Sequence, residues 1–285
     1  MTKRMSRRAL IGTASVAAAG VALGTARQTA AQTPAAAVPG DTLAKVKAAG
    51  KVLIGVRNDF PPMGSIDAGG NPVGFGPDLG EILAKKLGVK PEFIPVTSRT
   101  RIPLLQNGSI DLEVGVTTPT TEREKTVDFS IPYIWDSVNL LIRKGGSKNI
   151  KDYAPPKKIA CTQGSFIIDL IKQQIPNAEF VLFQEYTDAV LALLNSKVDA
   201  VGINRAGAVA VTRKDAARVD MSEDFIKDPW AIMVRQNDSA WRNWVNHSIQ
   251  EIWKEGSFQV LFENHFGEKP QFVLYSPYML QPGIK

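Results

Sequence analysis

The sequence predicts an α/β fold built from two lobes of like architecture. Three observations predict it. Short apolar strands alternate with helices that carry one apolar stripe; that cycle runs twice with similar lengths and order; and 285 residues suffice for two modest domains.

The chain opens outside that fold. Lys3, Arg4, Arg7 and Arg8 precede an Ala- and Gly-rich apolar run from Ala9 to Gly24, and small residues follow, with candidate cleavage sites at Ala31 and Ala37. That order is an export signal over residues 1–31. The Arg7–Arg8 pair before a weakly hydrophobic run favours the twin-arginine route. A membrane anchor needs about 20 strongly apolar residues, which this run lacks. A Pro/Ala-rich linker covers 32–40. Residues 1–31 hold five Lys/Arg and no Asp/Glu, so the formal +6 becomes +1 without them. The basic balance therefore gives no sign of a nucleic-acid surface.

Cys161 is the only cysteine, which excludes an intramolecular disulfide. No cysteine lies near the signal to accept a lipid, so a soluble periplasmic product is expected. In "KKIACTQG", Cys161 reads as a strand core residue. A catalytic thiol would want a histidine, and His247 and His265 lie far along the chain on helices.

The first cycle runs as follows. "KVLIGV" (51–56) is a short strand ending in the loop "RNDFPPMGSIDAGGNP". "GGNPVGFG" (69–76) reads as a hairpin turn, without the spacing of a dinucleotide fingerprint. "GPDLGEILAKKLGV" places Leu79, Ile82, Leu83 and Leu87 on one helical face. "KPEFIPV" is a strand, "RIPLLQNG" a short helix ending on Gly108, and "IDLEVGV" a third strand. Such alternation implies a mainly parallel sheet. The segment "TTPTTEREKTVDFSIPY" (117–133) then reads as a helix capped by Thr118, with Pro119 at its first position. A helix start favours an anion, and Arg123 one turn in could add a bidentate grip on a carboxylate. Read alone, Arg123 is rather a solvated helix residue beside Glu122 and Glu124.

The second cycle follows a turn at Pro132–Tyr133. "VNLLIRKG", "KKIACTQG", "EFVLFQ", "VDAVGIN" and "PWAIMVRQ" are strands. "SFIIDLIKQQI", "YTDAVLALLNSK" and "RAGAVAVTRK" are helices. Residues 239–267 give two more helices with Trp241, Val245, Ile249 and Ile252 on one face, so their Trp and Phe residues are packing groups. No P-loop, H-E-x-x-H or G-x-S-x-G occurs. Two such lobes suggest a clamshell ligand binder.

The stretches "GVRNDFPPMG", "PVGFGPDLGEILAKKLGV", "TSRTRIPLLQNGSIDLEVGVTTPTTEREKTVDFSIPY", "KIACTQGS" and "VDAVGIN" carry a resemblance to bacterial extracellular solute-binding proteins of family 3, the periplasmic amino-acid receptors of ABC importers. The resemblance covers roughly 42–268, and "TSRTRIPLLQNGSIDLEVGVTT" is similar to the glutamate/aspartate-binding branch. It implies a type II periplasmic-binding-protein clamshell with a two-segment hinge. Lobe one would be 41–133 and 231–285, lobe two 138–226, and the hinge 134–137 and 227–230. It also implies a monomer without cofactor or metal that closes on a small carboxylate-bearing solute and delivers it to a membrane permease.

The resemblance assigns residues as well. Arg123 and Thr118 would hold the ligand α-carboxylate. Arg57, Ser98 and Arg101 match groups of the acidic-ligand branch, and Phe60 matches the aromatic over the ligand. Thr162 and Ser165 match the closing loop of lobe two, and Tyr186 a polar aromatic. Two positions depart from the family: Asn204 stands where a carboxylate pairs with the ligand ammonium, and Val116 can offer only its backbone. Three arginines without that acid favour a dicarboxylate: an acidic amino acid first, an amine-free dicarboxylate next. The alternatives are a cyclohexadienyl-dehydratase-like enzyme, with Asp111 and Glu113 as candidate acids, and a sensor module that serves a receptor kinase.

Overall fold

The computed structural model describes residues 41–272 and Leu274; the expected export signal and linker lie outside the described residues. The described residues begin with α1 (Thr42–Ala49), β1 (Lys51–Val56) and a small antiparallel sheet of β2 (Asp59–Phe60), β3 (Gly64–Ile66) and β4 (Pro72–Val73). Next come α2 (Phe75–Leu87), β5 (Lys90–Pro95), α3 (Arg101–Gln106), β6 (Leu112–Val114) and α4 (Thr121–Glu124). β7 (Val127–Arg143) carries the chain into the second lobe. There β8 (Lys158–Thr162), α5 (Ile167–Gln174), β9 (Glu179–Phe183), α6 (Tyr186–Leu194), β10 (Ala200–Asn204), α7 (Arg205–Lys214) and β11 (Val219–Met221) follow. β12 (Ile226–Arg235) returns to the first lobe, which α8 (Ser239–Lys254) and α9 (Ser257–Phe266) complete.

These elements form where local patterning and packing agree. On α2, Leu79 and Leu83 are fully buried against the sheet, as an apolar stripe at helical spacing requires. Asp238 caps α8 by accepting from the Trp241 N–H at 3.1 Å, and its other oxygen accepts from the Thr42 N–H at 2.9 Å, tying α1 to α8. Phe258 and Phe266 pack edge-on against Phe75 with centroids 5.5 Å apart. The aromatics of the last two helices are thus packing groups, as their spacing suggested. Cys161 is buried in a cluster with Val138, Ile159 and Ile171, and burial pushes its thiol up to about 12.

The main sheet has the order β5-β1-β6-β12-β7-β10-β8-β9, with β11 added to β7. β1 runs parallel to β5 and β6, and β8 parallel to β9 and β10. β12 is antiparallel to β6 and β7, and β7 to β10 and β11. The sheet is therefore mixed rather than mainly parallel. β7 takes the chain out and β12 brings it back, so the crossing pair must run in opposite directions.

The turn expected at Pro132–Tyr133 does not exist. Both residues lie inside the 17-residue β7. Pro132 has no N–H to give, and the ladder shifts register just opposite it, around Ala231; a bulge is where a strand tolerates proline. Beyond it, Ile134, Trp135, Asp136 and Ser137 pair directly with Trp230, Pro229, Asp228 and Lys227.

Candidate functional site

The predicted residues gather where the two lobes meet, beside the crossing strands. From lobe one, Arg57 follows the end of β1 and is 1% exposed. Its Nε and Nη2 donate to the two carboxylate oxygens of Asp59 at 2.7 and 2.6 Å, and its Nη1 donates to Ser98 Oγ at 2.8 Å. Burial opposes the Arg57 charge, but the bidentate Asp59 contact more than offsets it and its pKa is raised.

Arg101, at the start of α3 and 2% exposed, donates to the Val116 carbonyl at 2.8 Å and to Thr117 Oγ1. The Val116 backbone carbonyl is thus engaged by Arg101. Glu113 Oε1 lies 3.8 Å from the same guanidinium nitrogen, and Glu113 Oε2 accepts from Thr117 at 2.9 Å. Burial pushes the Glu113 pKa up, opposed by Arg101. Burial and then the Arg123 guanidinium push that of Arg101 down.

Arg123 lies between the lobes. Its Nη1 donates to the Thr118 carbonyl at 2.7 Å and its Nη2 to the Gly164 carbonyl at 3.2 Å, while its guanidinium sits 5.9 Å from the Phe166 ring centre. Among the described residues no carboxylate comes within 4.0 Å of it. Burial lowers its pKa, and the fields of Asp228 and Glu113 oppose that shift.

The expected cap is displaced. Thr120, in extended conformation, caps α4 by accepting from the Arg123 N–H at 3.2 Å, and the helix is only four residues long. Thr118 Oγ1 donates instead to Asp228 Oδ1 at 2.7 Å.

From lobe two, Thr162 at the end of β8 has its Oγ1 3.5 Å from Ser98 Oγ. Ser165 Oγ accepts from the Ile167 N–H at 3.3 Å, at the start of α5. Tyr186 opens α6; its N–H donates to Asp59 Oδ2 at 2.9 Å, and its ring lies edge-on to Phe60 at 4.8 Å and 5.4 Å from the Arg57 guanidinium. Phe60 is buried and also meets Trp230 edge-on at 6.3 Å. Asn204, at the end of β10, donates its Nδ2 to Asp228 Oδ2 at 2.5 Å. The lobes are thus in contact around these side chains, through Ser98–Thr162, Arg99–Gln163, Asp59–Tyr186 and Arg123–Gly164.

Sequence reasoning missed Asp59, Thr117 and Asp228. Asp59 stands two residues after Arg57, on the same side of an extended chain, so its pairing was readable. Asp228 carried no such signal: only the β7–β12 register brings it beside Thr118 and Asn204. It is 2% exposed and accepts from Thr118, Asn204 and, at 3.1 Å, from Trp230 Nε1. Burial raises its pKa; those three hydrogen bonds and Arg123 work against the shift. Asp111 belongs to no such site, since it is held by Lys45 at 2.9 Å and Arg235 at 3.2 Å. Among the described residues no cluster of His, Cys, Asp and Glu is suited to a metal ion. Arg57, Arg101 and Arg123 face Asp59, Glu113 and Asp228, a set that is neutral when all are ionised. Such an arrangement can bind and orient a small charged solute.

Comparison with known proteins agrees with this architecture. The chain is 31% identical over 235 residues to the ABC transporter glutamine-binding protein GlnH of Bacillus subtilis, covering 81% of this chain and 86% of that one. It is 30% identical to the glutamate/aspartate import solute-binding protein of Escherichia coli, covering 81% and 82%. Among solved structures, holo ArgBP from T. maritima superposes with a TM-score of 0.70 at 30% identity, over 78% of this chain and 98% of that one. An ancestral arginine-binding protein bound to glutamine gives 0.72 at 34%, over 77% and 99%. Residues 52–268 match one family throughout. With its two-lobed type II periplasmic-binding fold, the chain belongs to the bacterial extracellular solute-binding proteins, family 3.

Proposed function

We propose that the chain is the solute-binding component of an amino-acid ABC importer, which captures its ligand by closure of the two lobes and presents it to a permease. The observation that carries this reading is Arg123: a cation bonded to backbone carbonyls of both lobes, with no carboxylate partner within 4.0 Å among the described residues. A ligand carboxylate at this point favours the closed arrangement over the open one, because it interacts fully only when both lobes are present. The names of the relatives, which bind glutamine, cystine or glutamate/aspartate, support an amino-acid ligand. The direct pairing of 134–137 with 227–230 supports a hinge there, with lobe one over 41–133 and 231–285 and lobe two over 138–226.

The charge count that favoured a dicarboxylate treated three arginines as free. Arg57 is matched by Asp59, and Arg101 lies against Glu113, so the site asks for one anionic group. We therefore read the ligand as an α-amino acid whose carboxylate meets Arg123. Thr118, Thr162, Ser165, Ser98, Phe60 and Tyr186 surround it. A dicarboxylate would bring a second negative charge towards Asp228 and Glu113.

Calorimetry of Arg123→Ala tests the assignment, with L-glutamine, L-arginine, L-cystine and L-glutamate as probes. Loss of one buried partner of a charge-assisted pair costs about 2–5 kcal/mol, so affinity falls roughly thirty- to several-thousand-fold. Unchanged affinity in a folded variant refutes the assignment.

Two observations bear on an enzymatic reading. Glu113 is a fully buried carboxyl with a raised pKa and one oxygen without a hydrogen-bond partner, and an ancestral amino acid-binding protein described as a precursor of cyclohexadienyl dehydratase superposes with a TM-score of 0.74. Glu113 is, however, enclosed by Arg101 and Thr117. Incubation with prephenate or arogenate should yield no product.

A further inference from the structure

Asp228 is a buried carboxylate with no cation within 4.0 Å among the described residues. An ionised carboxyl offers about four acceptor sites, and Thr118, Asn204 and Trp230 fill three of them. A buried charge left in that state is costly unless something pairs with it. Thr118 also links it to Arg123: the carbonyl of that residue accepts from Arg123, and its hydroxyl donates to Asp228. A half-buried cation and a buried carboxyl thus stand on either side of one residue. An α-amino acid carries its carboxylate and ammonium on either side of one carbon.

Resting on the receptor reading above, we propose that Asp228 receives the ligand's ammonium group, so that the cation is held by the crossing strand β12 and not by the end of β10. Asn204 is then a positioning residue: its amide brings no charge to the ligand but fixes the carboxylate of Asp228 through its hydrogen bond. The ladder adds a reason for Asp228 to take a cation. Asp136 is its direct partner on β7, and like charges opposite one another on a sheet repel. Asp136 is turned to the Ala206 N–H at 3.1 Å and to the field of Arg205, which leaves Asp228 as the acid of the pair that faces Thr118 and Asn204. The site therefore selects for the amine: α-amino acids bind and amine-free carboxylates do not.

The test is calorimetry with three matched pairs: L-glutamine and glutaramate, L-glutamate and glutarate, L-arginine and 5-guanidinopentanoate. With the wild-type chain, the amino acid that binds does so at least about 30-fold more tightly than its amine-free counterpart. Asp228→Asn removes that difference. Adding Asn204→Asp to Asp228→Asn keeps the hydrogen bond and moves the charge across it, so amino-acid binding returns. Circular dichroism identifies a variant that fails to fold, and the wild-type comparison does not depend on any variant. An amine-free acid that binds the wild-type chain within threefold of its amino acid overturns the proposal. So does full amino-acid affinity in folded Asp228→Asn. If no amino acid binds the wild-type chain, the receptor reading itself fails and this inference goes with it.

Discussion

Arg57 and Arg101 act within lobe one, where Asp59 and Glu113 oppose their charge, while Arg123 and Asp228 do not have such partners. The distinction is one of neighbours, not residue type, and a count of arginines along the chain does not contain it. Asp136 gives the residue scale its pH dependence. Burial pushes its carboxyl up to about 7, with Asp228 adding to the shift and the N–H groups of Ala206 and Ser137 opposing it. The folded chain then holds a proton that the unfolded chain releases, across the window from about pH 4 to about pH 7. Stability contributed by this group is present at low pH and lost as pH rises through that window. Asp136→Asn should therefore melt a few degrees above the parent at pH 8 and converge with it near pH 4. A constant gap across the range, or a reversed one, would show that Asp136 is ionised throughout.

At the level of elements, α7 packs against the small β2–β4 sheet at very close range. A Cβ on Gly207 would lie 2.6 Å from Phe60 Cζ, and Phe60 is itself wedged against Tyr186 and Trp230. Gly207→Ala should favour the isolated helix by about 1 kcal/mol while obstructing the approach of the lobes. We expect roughly tenfold weaker ligand binding with an unliganded melting temperature that does not fall. An unchanged affinity would mean that Phe60 does not meet α7 in the bound state. Elements with a period of their own were legible: β1 at 51–56 is an apolar run bounded by turn residues, and α2 carries a clean stripe. Strands of two or three residues, such as β2 and β4, are too short to show a period. From the sequence alone Pro132 marks a break, because the bulge that accommodates it depends on the facing strand. The α4 cap was misplaced by two residues because two threonines flank Pro119, and only the position of Asp228 decides which of them is free to cap.

For the whole molecule, the second pass of the strand–helix cycle announced the second lobe, and the site residues from distant segments do converge between them. What could not be read was the partner of each charge across the junction. Asp228 lies 110 positions from Thr118 and 24 from Asn204, and the crossing-strand register that unites them is a property of the assembled sheet. The central claim is that this junction captures one α-amino acid, carboxylate to Arg123 and ammonium to Asp228. A thermal-shift screen of the wild-type chain against the common L-amino acids and a set of amine-free mono- and dicarboxylates tests it most directly. At a hundredfold excess over Kd, binding stabilises the folded state by about 2.7 kcal/mol, which for a chain of this size raises Tm by about 5–10 °C. At least one α-amino acid should give such a rise, and its amine-free counterpart at the same concentration at most about a third of it; a rise with amine-free dicarboxylates alone, or no rise with any amino acid, would contradict this mode of capture.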